Sequence, residues 1–433
     1  MDNDSRPGDG PAGSPPPSPL DHGFVRAFLA GRFPAVLGTQ IVSTTAGWQL
    51  YERTNDAWAL AVVGLVELAP VLVLILPAGN LADRAPRRNI AMGAYALLAV
   101  ASIGLALVSA LEGPTLAIYG LLALIGAARA FAAPSVGTIL PQLLSPQEFA
   151  VANAYASSTF QIASVSGPAL GGGLIALGGG ATLAYAVAAV GQLIFIVMLG
   201  FVPAVRPPPQ APGKARNARD VFAGFHFIRR NRIFLAAITL DMFAVLLGGA
   251  VTLLPIFVKD VLHLGPTELG WLRAAPGIGA ALMALTLTRL QPWRRPGRAL
   301  LLTVCAFGLA TIGFGLSETF WLSFACLVLT GVFDEISVLI RVTLEQLITP
   351  DRLRGRVASI NHIFIGFSNQ FGAFESGAAA ALLGPMAAVV VGGIGSIIVA
   401  GIVTRVFPEL VSLGPLASLR PDDPSPPPSE AFE

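Results

Sequence analysis

Charged side chains interrupt long apolar stretches of this sequence, where a charge is costly and is therefore a candidate for function. The candidates are Glu67, Arg129, Asp241, Asp334, Glu335, Arg341 and Glu375. Glu67 and Asp241 have no cationic neighbour close by in the sequence, and removal from water favours the neutral form of a carboxylic acid. Each could therefore carry a proton near neutral pH or form a fixed bond between helices, and the sequence leaves both alternatives open.

Arg129 and Asp334 are two further candidates for proton coupling, because each lies roughly midway along its apolar stretch. Asp334, Arg341 and Glu345 are spaced seven and four residues apart, so they share one face of a helix. From this spacing we predict a structural ion pair between Arg341 and Glu345.

Two other apolar stretches carry polar side chains at helical spacing, a pattern typical of a wall that lines a polar cavity. The cavity-lining candidates are Gln40, Ser43, Gly47, Asn361, Ser368 and Glu375. Small polar residues also join helices to one another, and for each member of this set that role is an equal alternative.

The segment GNLADRAPRRN, residues 79–89, joins two apolar stretches. We predict a tight turn here, with Asp83 directed at the N-terminus of the stretch that begins near residue 358, where unpaired N–H groups favour a negative charge. Arg84, Arg87 and Arg88 could pair with acidic groups or lipid phosphates. Enrichment of arginine in cytoplasmic loops explains these arginines but explains neither Gly79 nor Asp83.

A second segment, SGPALGGG at residues 166–173, predicts close helix packing. Pro168 removes a backbone donor and bends a helix, while Gly167, Gly171 and Gly172 allow another helix to approach closely. Glycine and proline are also common in membrane helices generally, so this pattern has a plain structural explanation as well.

The composition shows which elements must position these residues. Hydrophobic residues make up 54% of the 433 residues and charged residues 12%, against about 25% charged in soluble domains; the mean hydropathy is +0.71. A chain with so few charges is a multi-pass membrane protein, in which each span needs about 20 apolar residues. We predict twelve spans, at 33–52, 59–80, 89–111, 115–138, 153–177, 181–203, 233–257, 266–288, 299–317, 320–343, 358–382 and 385–407.

The Lys and Arg residues predict the orientation. With the N-terminus inside, 22 of the 27 lie in inside tails and loops, two lie outside and three (Arg129, Arg273 and Arg341) lie within spans, as the positive-inside rule requires. We therefore expect both termini in the cytoplasm. The predicted organisation is a disordered tail (1–24), a six-helix bundle (25–203), a cytoplasmic linker with an amphipathic helix (204–232), a second six-helix bundle (233–407) and a disordered tail (408–433).

The two halves resemble each other weakly in sequence, which indicates an internal repeat. The segments that start at Leu124 and Leu329 align Gly126 with Gly331, and the same alignment places Asp334 opposite Arg129. Parallel six-helix repeats with a substrate site between them are one of the known transporter architectures.

The 79–89 segment resembles the loop signature of the major facilitator superfamily, G-x-L-A-D-R-x-G-R-R, except that Pro86 replaces a glycine. SGPALGGG resembles the G-P-x-x-G-G motif of exporters in that superfamily, and residues 25–405 look like the branch that contains bacterial enterobactin exporters. The resemblance implies an all-α membrane fold, with twelve transmembrane helices in two pseudo-symmetric six-helix bundles around a central cavity. It also implies that the loop is an inside gate and that Arg129 faces the cavity.

On this resemblance we expect a secondary active exporter of a small molecule in a bacterial cytoplasmic membrane, with a siderophore as the leading substrate and proton antiport as the driving reaction. One alternative is multidrug efflux of amphipathic or cationic compounds. Another is a transporter-like receptor or lipid-handling protein without proton coupling. We expect protons and membrane lipids as partners and a monomeric state. We expect no enzymatic activity, cofactor, metal or nucleic-acid partner, because the sequence has no Walker loop, paired-Cys motif or nucleophile–base constellation.

Overall fold

The computed structural model describes residues 18–205, 225–289 and 293–415, and every regular element in these segments is a helix. Twelve of the described helices have 16 residues or more and follow the twelve predicted stretches in order. They are α1 (Gly23–Thr54), α2 (Ala57–Arg84), α3 (Arg87–Ala110), α4 (Thr115–Val136), α5 (Pro146–Gly178), α6 (Ala181–Leu199), α7 (Arg232–Leu247), α8 (Pro266–Leu287), α9 (Pro296–Gly315), α10 (Phe320–Ile348), α11 (Asp351–Leu383) and α12 (Pro385–Val406).

Local sequence signals set the helix ends. A capping box starts α5, because the Ser145 hydroxyl accepts the N–H of Glu148 while the Glu148 carboxylate accepts the N–H of Ser145. Asp56 caps the N-terminus of α2 in the same way through the N–H of Trp58. At its other end α5 stops at Gly179, whose φ of 62° lies in the left-handed region that favours glycine.

Ten of the described helices are long and apolar enough to cross a membrane. The other two long helices, α1 and α11, have 32 and 33 residues and at 1.5 Å per residue are also long enough to cross. They are less apolar because α1 carries Gln40 and Ser43 and α11 carries Ser368, Asn369 and Gln370 along their lengths. The two most polar long helices therefore lie in opposite halves of the chain.

The predicted seventh span is not one continuous helix. α7 ends at Leu247, and after Gly248 and Gly249 the chain continues as short 3-10, α and π turns to Val261. A side chain at Gly249 would collide with Ser376 of α11, so the break lies where the chain passes closest to that helix. The predicted span over 233–257 falls within one candidate membrane crossing, Arg232–Val261, but that crossing is interrupted after Leu247.

The helices pack in two matching sets. In the first half α1 contacts α5 and α6, α2 contacts α4, and α3 contacts α4 and α6; in the second half α7 contacts α11 and α12, α8 contacts α10, and α9 contacts α10 and α12. The aligned glycines occupy equivalent contacts, since Gly126 of α4 packs on the backbone of α2 at Glu67 and Gly331 of α10 packs on that of α8 at Pro276. The contacts therefore support the repeat.

The halves meet through two helix pairs, α2 with α11 and α5 with α8. We name the two ends of the bundle by their loops: residues 55–56 lie at the α1–α2 end and residues 85–86 at the α2–α3 end. One hydrophobic core joins the first half to residues of the second half near the α1–α2 end, including Leu254, Phe257 and Phe314. A separate core at the α2–α3 end includes Phe234 and Leu300 and draws only on residues after 225.

Part of the predicted amphipathic helix is described, as a helix at residues 225–230. In an amphipathic helix, Phe222, Phe225 and Ile228 of this segment would share one face. Phe225 is exposed, but Ile228 is buried with Phe227 in the core of the second half, so this end of the linker packs on the protein. Phe222, most of the linker and most of both tails lie outside the described residues.

Candidate functional site

A cavity of about 340 Å³ lies between the two halves. Helices α1, α2 and α4 form one wall, and α8, α11 and the segment after α7 form the other. Its polar and charged lining includes Thr39, Gln40, Ser43, Glu67, Arg129, Thr252, Arg273, Asn369 and Gln370. The pocket therefore joins side chains from six parts of the chain that are far apart in sequence.

Glu67 has partners from two other helices, although it has no cationic neighbour close by in the sequence. The Arg129 guanidinium donates to the Glu67 carboxylate at 2.5 Å, and the Gln370 amide donates to the same oxygen at 3.3 Å. The Arg129 side chain is 29% exposed and that of Glu67 10%. Both residues line the cavity, and Arg129 is the more accessible of the two.

Arg273 completes the charged lining from the other half. Its guanidinium donates to the Ser43 hydroxyl at 2.7 Å, which joins α8 to α1. Arg273 is one of the three basic residues within the predicted spans, and an arginine inside an apolar helix is itself a functional signal. We refer to Glu67, Arg129 and Arg273 as the cavity cluster.

A second ion cluster lies in the second half and consists of Asp241 and Arg341, whose side chains are largely buried, and Asp334, whose side chain is 50% exposed. The Arg341 guanidinium pairs with the Asp241 carboxylate of α7 and lies 3.9 Å from that of Asp334 on its own helix. We refer to these three residues as the α10 cluster. Asp241 has no cationic neighbour close by in the sequence, and its partner comes from α10, as the alternative of a bond between helices predicted.

The predicted pair between Arg341 and Glu345 does not form. Arg341 turns toward α7, and Glu345 accepts a hydrogen bond from the Asn361 amide of α11 at 2.8 Å. The four-residue spacing allowed the predicted contact, but the packing of α7 against α10 offered Arg341 a buried partner instead.

The predicted cavity-lining residues divide by helix. Gln40, Ser43 and Gly47 of α1 all line the cavity, whereas Asn361, Ser368 and Glu375 of α11 do not. Asn361 bonds Glu345, Ser368 bonds a carbonyl of its own helix, and Glu375 lies beside Ser376. The helix is rotated relative to our expectation, because Gly372 packs against α7 and this turns Asn369 and Gln370 toward the cavity.

The predicted gating segment starts one helical turn later than expected. α2 continues to Arg84, so Gly79 lies inside the helix and the turn falls at residues 85–86. Arg88 bonds the carbonyl of Val202 at 3.0 Å. The side chain of Asp83 lies outside the described part of the structure, so its predicted contact with α11 remains a prediction.

The glycine motif of α5 contacts two helices at once. Gly167 and Gly171 face α1, while Gly172 faces the first turns of α8. The contact is reciprocal, since a Cβ added at Gly270 of α8 would lie 2.7 Å from the carbonyl oxygen of Pro168. These residues therefore set the distance between the two halves next to the cavity.

Comparisons with known proteins agree with this architecture. The family model described as transmembrane secretion effector matches residues 14–426. Enterobactin exporter EntS of Shigella dysenteriae serotype 1 is 29% identical over 374 residues, covering 85% of this chain and 88% of that protein. The enterobactin exporter EntS of Escherichia coli O1:K1 gives the same figures.

Solved structures share the fold at low sequence identity. A bacterial homologue of the human lysosomal transporter Spinster, in an inward-facing and unoccupied conformation, gives a TM-score of 0.72 at 14% identity, over 92% of this chain and 99% of that chain. The peptide transporter POT in complex with sulfate gives a TM-score of 0.70 at 15% identity, over 90% and 95%. The predicted fold class is confirmed. The chain therefore belongs to the transmembrane secretion effector family of the major facilitator superfamily, in the branch of the enterobactin exporter EntS.

Proposed function

We propose that this transporter exports a small siderophore-like molecule from the cytoplasm, by alternating access and in exchange for protons. The observation that carries the proposal is the polar cavity between the two halves, lined by charged groups from both of them. A site at the interface of two rocking bundles can open to either side in turn. The substrate class comes from the relatives, which are named as enterobactin exporters.

The contacts between the halves support alternating access. At the α1–α2 end, the Tyr51 hydroxyl donates to the Asp260 carboxylate, and the Lys259 ammonium donates to the Asn55 side chain at 2.6 Å. Gly172 and Gly270 bring α5 and α8 together near the same end. In the predicted orientation this end faces away from the cytoplasm, so this is a state closed to the outside. Export requires these contacts to separate.

The α10 cluster supports proton exchange. Two carboxylates share one guanidinium, so the fully ionised cluster has one negative charge in excess, and uptake of one proton makes it neutral. Asp241 and Asp334 line a separate cavity of only about 20 Å³. That volume holds about one water molecule, which suits a proton and excludes a cargo molecule.

The test is transport by the full chain in inverted membrane vesicles, with the cytoplasmic face outward and an acidic interior. Enterobactin added outside should accumulate inside, and the internal pH, followed with an entrapped dye, should rise as protons leave. Accumulation that is unchanged without a pH gradient would contradict proton exchange. Absence of both accumulation and exchange would contradict export and favour a receptor or lipid-handling role.

The predicted orientation has its own test in intact cells. A single cysteine placed in the 204–232 linker, in a chain lacking Cys305 and Cys326, should react with a membrane-permeant thiol reagent only. Reaction with an impermeant reagent added outside would overturn the orientation and with it the direction of transport.

A further inference from the structure

Positively charged groups outnumber negatively charged groups in the lining of the cavity. In the described part of the chain, the wall carries two guanidiniums, those of Arg129 and Arg273, and one carboxylate, that of Glu67. The acids of the α10 cluster line a different cavity. The cavity cluster therefore has a formal charge of +1. Among all charged residues within the predicted spans, in contrast, acids outnumber bases.

Glu67 does not offset both cations. Its carboxylate already accepts from Arg129 and from Gln370, and only 10% of its side chain is exposed. The group available to a bound molecule on this wall is thus the Arg129 guanidinium.

Arg273 is the cation without a counterion. Within the described residues it forms no ion pair, and its one side-chain partner is the neutral hydroxyl of Ser43. A guanidinium carries five N–H donors, and a charge held away from bulk water is costly unless it is paired. Because Ser43 accepts from Arg273, its own hydroxyl hydrogen can be donated to a third group.

We infer that the cavity binds an oxyanion of the cargo, a carboxylate or a phenolate, between Arg273 and Arg129, with the Ser43 hydroxyl as a further donor. The inference rests on the proposed export function and specifies its substrate class. The guanidinium fork suits this geometry, since it can donate two parallel bonds to one anion. The same charge repels cations, so the cavity selects against the cationic compounds of multidrug efflux.

The position of the anion also has a conformational consequence. Arg273 belongs to α8 in the second half, and Arg129 belongs to α4 in the first. An anion between them joins the two halves on the side of the cavity where they already meet. Bound cargo should therefore stabilise the state that is closed at the α1–α2 end.

The test uses two probes of the same shape and different charge, 1-naphthoate and 1-naphthamide, binding to the detergent-solubilised full chain. Equilibrium dialysis should show preference for naphthoate. Arg273→Gln should weaken naphthoate binding about tenfold or more, as expected when a charge-assisted hydrogen bond is lost, and should leave naphthamide binding unchanged. Arg273→Lys keeps the charge without the fork, so it should retain part of the preference.

Arg53→Gln is the matched control. Arg53 donates to the carbonyl of Gly113 at 2.7 Å in the α1–α2 end and does not line the cavity, so both affinities should be unchanged. If Arg273→Gln does not fold, the double variant Glu67→Gln, Arg129→Gln removes the other cation together with its partner and should also reduce the preference for naphthoate.

Equal binding of the two probes to the unmodified chain would overturn the inference, as would an equal loss of both in Arg273→Gln. The measurement needs no membrane gradient, which separates it from the transport assay. A chain that selects naphthoate but exports nothing would support the anion site and contradict the export function.

Discussion

The two ion clusters have opposite charge composition. The cavity cluster joins two arginines to one glutamate, whereas the α10 cluster joins one arginine to two aspartates. The repeat aligns Arg129 with Asp334, so the two clusters are built around aligned positions of α4 and α10. A single position in the repeated architecture thus has a cation in one half and an anion in the other.

The two clusters also border cavities of very different size. The cavity cluster borders about 340 Å³ and the α10 cluster borders about 20 Å³. The first can hold a small organic molecule, and the second can hold about one water. We therefore propose that the cavity cluster binds cargo and that the α10 cluster binds the proton, as two separable hypotheses.

The largest expected effect is loss of uphill transport from a change in the α10 cluster. Asp241→Asn leaves Arg341 balanced by Asp334 alone, so the cluster has no surplus carboxylate to accept a proton. Vesicles with this variant should fail to concentrate enterobactin under an imposed pH gradient, and they should still exchange it downhill. Glu67→Gln is the matched change in the cavity cluster and should alter the half-saturating cargo concentration while accumulation persists.

Membrane potential sharpens this prediction. Exchange of a singly charged anion for one proton moves two elementary charges per cycle, each worth about 2.3 kcal/mol per 100 mV. The Asp241→Asn variant, which would export the anion without a proton, should move only one elementary charge per cycle. The measurement is transport against potassium-imposed potentials, and the same charge per cycle in both proteins would contradict the division between clusters.

The second effect is on stability. Arg341→Gln leaves Asp241 and Asp334 without a cation, and breaking a buried pair in this way costs about 3–5 kcal/mol. Arg129→Gln should cost less, because its side chain is 29% exposed and Glu67 keeps the bond from Gln370. Thermal unfolding in detergent measures the loss of stability in each variant. Equal shifts in Tm would contradict the expected difference between the two clusters.

Hydropathy was sufficient to predict the twelve helices, because long apolar runs report burial in lipid whatever their neighbours are. The partners of the charged residues needed the fold. Glu67 and Arg129 are 62 residues apart in the chain, and no local spacing could join them. Local spacing even misled at Arg341, because a partner on its own helix was in reach while Asp241 came from α7.

The cavity lining shows a similar division. The α1 candidates line the cavity, because a polar stripe on an otherwise apolar helix has few other places to face. On α11 the polar residues are spread around the helix, and the close packing of Gly372 on α7 decides which of them face the cavity. That decision depends on a distant helix and has no local sequence signal.

The third effect concerns the helix contact beside the cavity cluster. Gly172→Val places a side chain against the backbone of α8 one turn from Arg273, and overpacking of this kind costs about 1–3 kcal/mol. It should separate Arg273 from Ser43 and weaken naphthoate binding, with no effect on the α10 cluster. Gly173→Val is the control, because nothing lies within 4 Å of a Cβ at that position. Equal effects of the two variants would contradict a specific contact.

The smallest effect is at the contact that closes the cavity on the α1–α2 end. Tyr51→Phe removes the hydroxyl that donates to Asp260 while the Lys259 ammonium, 5.6 Å from the ring centre, keeps its aromatic neighbour. One hydrogen bond contributes about 0.5–1.5 kcal/mol, so the population open to the outside should rise about twofold to tenfold. The readout is the rate at which an impermeant thiol reagent labels Thr39→Cys in the cavity, in a chain lacking Cys305 and Cys326. Ser337→Cys, beside the α10 cluster, is the internal control, since opening between the halves should not expose a site inside the second half. Faster labelling at both positions would mean that the variant loosens the whole bundle, and unchanged labelling at residue 39 would mean that Tyr51 does not hold this end closed.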